Sequence, residues 1–165
     1  MKPHIILIIH DIRSCHNVGS LMRTAEGLGI EKLYFTGYTP YPSHDGDTRL
    51  PHIARKLTAQ IHKTALGAEN DVVWEHREDI TTLVAELKAS GYVIGALEQS
   101  GRSVRLPDYH PPEKIAVILG REVEGIDADI IGMADVTLEI PMFGQKESFN
   151  VVQAAAMTLY HLRFH

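Results

Sequence analysis

Unbroken aliphatic runs alternate with helical periodicity along this chain. Residues 5–9 and 115–119 are continuous aliphatic runs, the pattern of strands that are buried on both faces of a sheet. Residues 18–28 instead place an apolar or small side chain every three or four positions, which predicts a helix with one buried face. The whole pattern predicts strands at 5–9, 32–36, 72–74, 93–97, 115–119 and 136–140, and helices at 18–28, 50–60, 80–89, 127–133 and 149–162.

The order of these elements predicts the fold class. Strands that are separated by helices indicate an α/β fold with a mostly parallel sheet flanked by helices. In such sheets, ligands bind just beyond the carboxyl ends of the strands. Four segments that follow predicted strands are rich in polar residues and glycine, namely 10–23, 97–103, 120–126 and 140–150. We therefore expect the functional residues in these four segments.

Composition limits the class of protein. The chain has 165 residues, about the size of one domain, and is 44% hydrophobic and 22% charged. It has neither an apolar run near the roughly 18 residues of a membrane span nor the pattern of a signal peptide. The single cysteine, Cys15, excludes an internal disulfide and a CxxC zinc or redox site. We predict one domain over residues 1–165, in the cytoplasm, with no metal and no membrane contact.

Charge is distributed unevenly around a formal net charge of −5. Residues 1–66 carry a net charge of +3, and residues 67–165 carry −8. The first part contains a basic stretch that consists of Arg49, His52, Arg55, Lys56, His62 and Lys63. On its own, this stretch fits a solvated loop and helix better than a site for an anionic partner.

A first motif follows the first predicted strand, in the segment HDIRSCHNVGSLMRTA. Asn17, Gly19 and Arg23 form the pattern N-x-G-x-x-x-R. The side chain of Asn17 is well placed to cap the following helix. Arg23 lies one to two turns into that helix, where its guanidinium can donate to a phosphate or a carboxylate. Taken alone, the pattern also fits a capped helix with a solvated arginine.

A second motif, LGREVEGI, covers residues 119–126 after the fifth predicted strand. Gly120 directly follows a buried strand and would let a ligand approach the backbone closely. Glu122 and Glu124 are either surface charges or groups that orient a ligand. The segment is neither a G-x-G-x-x-G loop nor a Walker A loop, and neither of these motifs occurs elsewhere in the chain.

A third motif, IPMFGQKESFNVVQAAA, begins at Ile140 after the last predicted strand. Pro141 fixes the exit of the chain from the strand. Ser148 is placed to cap the last helix, with Asn150 in its first turn. The alanines at 154–156 allow this helix to pack very close to a neighbour. By itself, the segment fits a capped core helix.

Taken together and in this order, the three motifs resemble those of the SpoU (TrmH-like) branch of the SPOUT RNA methyltransferases. The family pattern is Asn-x-Gly followed by an arginine, then Leu-Gly-x-Glu-x-x-Gly, then Ile-Pro-Met, a glycine-containing loop, Ser-x-Asn and an alanine-rich helix. The resemblance covers roughly the whole chain, including residues 63–75 and 96–99. Arg121 and Phe149 depart from it, because the family usually has asparagine and leucine at these positions.

The resemblance implies that the C-terminal part of the sheet forms a deep trefoil knot, which binds S-adenosylmethionine. Backbone groups near Leu97, Gly120, Ile140 and Phe149 would hold the adenine and the ribose, and Met142 would complete the pocket. The other cofactor-binding residues that the motifs imply are Leu119, Glu122, Gly125 and Ser148.

The resemblance also implies the reaction, which is transfer of a methyl group to a ribose 2′-hydroxyl of tRNA or rRNA. The family assigns removal of the hydroxyl proton to the arginine at position 23, helped by the substrate phosphate. Because arginine normally stays protonated, electrostatic stabilisation of the developing alkoxide is an equally sound role for Arg23. Asn17 would orient Arg23 or the substrate, and Ser148 and Asn150 would organise the site.

Family members are homodimers that pack through the knot helices, with the motif-one arginine at or across the interface. Without a further RNA-binding domain, RNA would be recognised by the catalytic domain, by its dimer mate or by a separate protein. The candidate residues of this chain are Arg13, Arg49, Arg55, Lys56 and Lys63. A second hypothesis is a non-catalytic knotted subunit that binds RNA or supports assembly. A third hypothesis is a Rossmann-type oxidoreductase or a nucleotide hydrolase. The phosphate-binding loop that such a protein needs is absent from the chain.

Overall fold

In the computed structural model, which describes residues 2–165, seven strands and five α-helices follow one another in an α/β order. The strands are β1 (His4–His10), β2 (Lys32–Thr36), β3 (Trp74–Arg77), β4 (Val93–Leu97), β5 (Val104–Arg105), β6 (Lys114–Leu119) and β7 (Val136–Glu139). The helices are α1 (Cys15–Gly27), α2 (Pro51–Ala65), α3 (Ile80–Ala89), α4 (Ala128–Met133) and α5 (Val151–Phe164).

The described strands form one sheet in the order β3-β2-β1-β6-β4-β7-β5, and every pairing between neighbours is parallel. β6 lies in the middle, where Ile115 pairs with Ile5 of β1 on one side and Val93 of β4 on the other. The predicted α/β class with a parallel sheet is confirmed. The strand predicted at 72–74 lies at Trp74–Arg77, and β5 was missed because two residues carry no periodicity.

Successive residues of β1 point to opposite faces of the sheet and enter two separate cores. Ile5, Leu7 and Ile9 are fully buried on the face that α1, α2 and α5 cover. Ile6 and Ile8 pack on the other face, against α3 and α4. The sheet is therefore the middle of three layers, and a ligand reaches the strands at their ends, where the loops leave them.

Two predicted helix caps are wrong. Ser14 caps α1 in place of Asn17, because the Ser14 hydroxyl accepts a hydrogen bond from the Asn17 N–H at 3.2 Å. Asn150 caps α5 in place of Ser148, because its side-chain oxygen accepts a hydrogen bond from the Val152 N–H at 2.9 Å. The side chains of Asn17 and Ser148 are therefore available for other contacts.

A buried arginine anchors the last helix. The Arg163 guanidinium donates hydrogen bonds to the carbonyls of Pro3, Leu28 and Gly29, at 2.8, 3.0 and 2.7 Å. These carbonyls replace the water that the buried cation loses. The helix α5 is thereby fixed to the start of β1 and to the turn after α1.

Three further facts about possible chemistry concern residues 2–165. No helix within residues 2–165 combines the length and the apolar character that crossing a bilayer requires. In this part of the chain, no three histidine, cysteine or carboxylate side chains lie close enough together to hold a metal ion. Burial raises the pKa of the Cys15 thiol, which makes the thiolate scarce and the residue poorly reactive.

Candidate active site

A cavity of about 350 Å³ opens at the carboxyl edge of the sheet, where β4, β6 and β7 end. Three loops and the first turn of α5 surround it, so the structure brings together segments that are far apart in sequence. The lining consists of Leu97, Glu98, Gln99, Leu119, Gly120, Arg121, Glu122, Val123, Glu124, Gly125, Ile126, Leu138, Glu139, Ile140, Glu147, Ser148, Phe149, Val151 and Ala154.

Eight of the nine residues that the motifs nominate for cofactor binding line this cavity. The exception is Met142, which is half-buried and lies outside the lining, two residues after Ile140. Asn150 is also outside the lining, where it caps the helix that forms one wall. The structure thus places nearly the whole set around one opening.

The lining is strongly acidic. It includes one arginine and five glutamates, which are Glu98, Glu122, Glu124, Glu139 and Glu147. The arginine, Arg121, is itself paired with the carboxylate of Asp127. A lining with this balance of charge attracts cations and repels phosphates, so it favours a ligand that carries positive charge.

Glu98 joins the loops around the cavity, and the sequence analysis did not nominate it. Its carboxylate accepts hydrogen bonds from the N–H groups of Gln99 at 2.9 Å and Ile126 at 3.0 Å. Its own N–H donates to the Leu138 carbonyl at 3.0 Å. One residue after β4 thus connects the loop after β6 with the end of β7. Two signals in the sequence pointed to it, its position directly after a strand and the family resemblance of residues 96–99.

The glycines of the second motif are required by the loop itself. A side chain at Gly120 would overlap Ile126 and the Gly125 backbone, because the loop folds back onto the end of β6. Gly125 has a φ of 70° and lies against the Glu98 carboxylate. Glycine is therefore required at position 120 because the chain packs on itself there. The sequence had suggested a different reason, which was close approach of a ligand.

The first two motifs meet through a hydrogen bond between side chains. The amide of Asn17, in the first turn of α1, donates to the carboxylate of Glu122 at the rim of the cavity. The contact links α1 to the loop after β6. The sequence predicted that Asn17 orients Arg23 or the substrate. In the structure, the side chain of Asn17 is hydrogen-bonded to Glu122.

Arg23 does not line the cavity. Its exposed side chain borders a second depression, of about 450 Å³, together with Lys63 and Val152. Val152 lines this depression, while Val151 and Ala154 line the acidic cavity. Within one copy of the chain, the first turn of α5 therefore lies between Arg23 and the cavity.

The glycine of the first motif determines where Arg23 lies. Gly19 is buried where α1 crosses α2, and a methyl group added there would overlap the backbone of α2 and the Thr64 hydroxyl. That hydroxyl donates to the His16 carbonyl at 2.7 Å. The close crossing brings Lys63 of α2 beside Arg23 of α1.

Helix α2 presents a basic face, and no residue of the helix is acidic. Arg55, Lys56 and Lys63 are exposed, and so are His52 and His62 on the same helix. Three of the five nominated RNA contacts therefore lie together on one surface. Such a surface attracts the phosphates of a nucleic acid.

The other two nominated RNA contacts, Arg49 and Arg13, have aromatic partners in the chain. The Arg49 guanidinium lies 3.7 Å from the centre of the Tyr41 ring, pairs with the Asp47 carboxylate at 2.6 Å and donates to two loop carbonyls at 3.0 Å. The pairing holds the pKa of Asp47 below its usual range. Arg49 thus orders the loop before α2, a different role from the one expected. Arg13 is exposed, 5.2 Å from the centre of the Tyr38 ring.

His10 is buried at the end of β1. One ring nitrogen shares a hydrogen bond with the Thr36 hydroxyl at 2.8 Å, and the Asp11 carboxylate lies 3.3 Å from the other. Burial lowers the pKa of His10 by more than the nearby carboxylate raises it. The imidazole is therefore neutral near pH 7 and supports the turn between β1 and α1.

Solved structures share this fold. The AdoMet-bound rRNA methyltransferase from Sinorhizobium meliloti gives a TM-score of 0.82 at 17% identity, over 99% of this chain and 57% of that one. The A. aeolicus TrmH/SpoU tRNA modifying enzyme gives a TM-score of 0.79 at 21% identity, over 98% of this chain and 76% of that one. The fold is thus that of the SpoU methyltransferases.

Residues 4–160 match the model of the SpoU rRNA Methylase family, and the chain belongs to that family. It is 30% identical to the 23S rRNA (guanosine(2553)-2'-O)-methyltransferase RlmP of Bacillus subtilis and 26% identical to the tRNA (guanosine(18)-2'-O)-methyltransferase of Borreliella burgdorferi. Both matches cover 96% of this chain, with 57% of the first relative and 66% of the second. The chain thus spans about three fifths of the length of these relatives.

Proposed function

We propose that the protein is an S-adenosylmethionine-dependent RNA methyltransferase that modifies a ribose 2′-hydroxyl of tRNA or rRNA, in the cytoplasm. The observation that carries the proposal is the meeting of the family motifs around one acidic cavity, with Arg23 and a basic helix beside it. The names of the relatives support the reaction, since both are 2'-O-methyltransferases, one of 23S rRNA and one of tRNA.

The residues of the cavity suit S-adenosylmethionine. When bound, this cofactor supplies an electrophilic methyl group on a sulfonium cation, and the product that remains is S-adenosylhomocysteine. The glutamates of the lining would attract the positive charge. Leu97, Leu119 and Ile140 provide an apolar wall for the adenine ring, next to backbone groups that can bond to its edge. A cofactor with phosphates would be repelled by the same glutamates.

Arg23 would act on the ribose. A 2′-hydroxyl must lose its proton, to the neighbouring phosphate or to solvent, as its oxygen accepts the methyl group. A guanidinium beside that oxygen stabilises the negative charge that develops on it. Lys63, in the same depression, would bind the neighbouring phosphate and hold the ribose in place. Asn17 and Asn150 would position the rim and the wall of the cavity, and Ser148 would contact the bound molecules.

A second copy of the chain would complete the site. In one copy, α5 lies between Arg23 and the cavity. The outer side of α5 carries Met157, Tyr160 and Phe164, which are 37%, 56% and 60% exposed and form an apolar surface that favours self-association. We propose a homodimer through this face, in which Arg23 of each copy approaches the cavity of the other.

The loops around the cavity would form the trefoil knot of the family. The insertion of β6 between β1 and β4 supports this, as do the bonds that tie Glu98 to Ile126 and Leu138. A knotted arrangement would hold these loops rigidly, and a rigid backbone can bind adenine without many polar side chains.

Methyl transfer by the purified protein tests the proposal. Tritium from the methyl group of S-adenosylmethionine should enter tRNA or rRNA taken from a strain that lacks the gene. The label should remain in dinucleotides that resist alkali, because a 2′-O-methyl group prevents cleavage of the adjacent phosphodiester. Arg23→Ala should lower the rate by about a hundredfold or more, since it removes the charge that stabilises the alkoxide.

Calorimetry with S-adenosylmethionine should give the same affinity for Arg23→Ala and for the wild type. Lys2→Ala, which removes an exposed cation before the amino end of β1, at the edge of the sheet opposite the cavity, is the control and should keep full activity. Full activity in Arg23→Ala would remove Arg23 from the mechanism. A wild-type protein that binds RNA but never transfers a methyl group would support the non-catalytic alternative.

A further inference from the structure

A further cavity lies at the β3 edge of the sheet, and the proposed reaction does not use it. It measures about 590 Å³ and is bordered by α2, the segment that follows α2, the start of β3 and the loop before α2. Trp74 forms an aromatic wall, and Ser43, Arg55, His62 and Asn70 are polar residues of the lining. This volume is in the range of pockets that hold small organic ligands.

Three polar side chains of this cavity are free to bind a ligand. Within residues 2–165, the Ser43 hydroxyl, the Arg55 guanidinium and the Asn70 amide have no hydrogen-bond or ion-pair partner in the chain. The carboxylate in the lining, Glu69, is by contrast paired with His62 and also accepts the Gly67 N–H at 2.9 Å. An aromatic wall with one cation and two neutral polar groups can bind a nucleobase and its phosphate.

The location of the cavity connects it to the proposed RNA path. His62 of α2 lines this cavity, and the next residue, Lys63, lines the depression that holds Arg23. A helix with its side chains is about 10–12 Å wide, a distance that a few nucleotides of single strand can span. The basic face of α2 lies between the two sites and contains no carboxylate that would repel RNA.

We propose that this cavity binds an unstacked base of the substrate RNA, a few nucleotides from the ribose that is methylated. The base packs against Trp74, its phosphate contacts Arg55, and Ser43 and Asn70 contact its edge. The proposal rests on the proposed function, because it takes RNA as the substrate. The basic face of α2 can contact phosphates, which are the same in every RNA sequence. This cavity can instead distinguish one base from another.

The fluorescence of Trp74 tests this proposal directly, because the chain has a single tryptophan. AMP, GMP, CMP and UMP are titrated separately, and at least one should quench the fluorescence to saturation, with different affinities among the four. Arg55→Gln and Asn70→Ala should each weaken that affinity by about tenfold, the effect of losing one or two good hydrogen bonds. Both positions are exposed, so neither change removes core packing.

Arg105→Gln is the matched control, since it removes an exposed arginine from the strand at the far edge of the sheet, and it should bind nucleotides like the wild type. The absence of quenching at millimolar nucleotide would overturn the proposal. Equal competition by ribose 5-phosphate, which has no base, would also overturn it, as would unchanged affinity in both variants.

Methyl transfer, measured in parallel, separates this proposal from the proposed function. Asn70→Ala should raise the KM for RNA and leave kcat unchanged, because the base site lies away from the reacting atoms. RNA methylation without nucleotide quenching would contradict the base site and leave the proposed function intact. Nucleotide quenching without methyl transfer would support the base site and contradict the proposed function.

Discussion

At the scale of single residues, Glu98 shows how one carboxylate shapes the cavity. It accepts the N–H groups of Gln99 and Ile126, so replacement by alanine leaves two loop N–H groups without their acceptor. Hydrogen bonds to a charged group contribute about 1.5–3 kcal/mol each. We therefore predict that Glu98→Ala weakens S-adenosylmethionine binding by about tenfold or more, as measured by calorimetry.

Glu113→Ala provides the control for this prediction, because Glu113 is exposed at the opposite, amino end of β6. It should bind the cofactor like the wild type. Unchanged affinity in Glu98→Ala would show that the loops keep their arrangement without this carboxylate.

The motifs predicted which residues surround the cavity, but they did not predict the contacts that the nominated residues make within the chain. The motifs gave Arg23 and the set around the cavity, but the partner of Asn17 is Glu122, 105 positions away. Arg49 looked like a ligand for RNA in the sequence. Its partners Asp47 and Tyr41 lie close to it in the chain, and together they explain its structural role.

At the scale of elements, the crossing of α1 and α2 depends on Gly19. A methyl group there would meet α2, and overpacking of this kind costs about 1–3 kcal/mol. We predict that Gly19→Ala lowers the free energy of unfolding by this amount, as measured by urea denaturation. Methyl transfer should also fall, because the crossing places Lys63 beside Arg23.

Gly27→Ala is a matched control in the same helix, since open space surrounds Gly27. Alanine is the better helix former by up to about 1 kcal/mol, so this variant should be as stable as the wild type or more stable. Equal stabilities of Gly19→Ala and Gly27→Ala would contradict the role assigned to the crossing.

Elements with a long periodic pattern were predictable, and short or capped features were less so. The helix at 80–89 and the strand at 93–97 are found as predicted. The capping residues were wrongly predicted because serine and asparagine lie within three residues of each other at the start of both α1 and α5, and either type can accept a helix N–H. Only the backbone geometry decides which of them does so.

At the scale of the whole molecule, the buried His10 and the half-buried His76 predict how stability depends on pH. Burial lowers the pKa of His10 and of His76 below 6.5, so the folded protein keeps both neutral. The unfolded chain takes up these protons as the pH falls through about 6.5. Stability should therefore be full above this pH and decrease below it.

The melting temperature at about pH 7.5 and at about pH 5.5 measures this effect. The double variant His10→Gln/His76→Gln should lose less stability between the two values than the wild type. An equal loss in both proteins would mean that other groups cause the pH dependence.

The net charge of −5 says little about the partners of this molecule, because opposite charges are kept on separate surfaces. Glutamates from the second part of the chain line the cavity, and the basic residues of α2 face outward beside Arg23. The pattern of hydrophobic residues predicted the layers of the fold. The proposal of a knot comes only from the family resemblance, because periodicity describes elements and carries no information on how the chain threads between them.

The most direct test of the proposed function is to delete the gene and map 2′-O-methyl groups across all tRNA and rRNA. We predict that at least one mark disappears, and that it returns with the wild-type gene but not with the gene for Arg23→Ala. The persistence of every mark, together with a purified protein that transfers no methyl group to RNA, would contradict the function proposed for this chain.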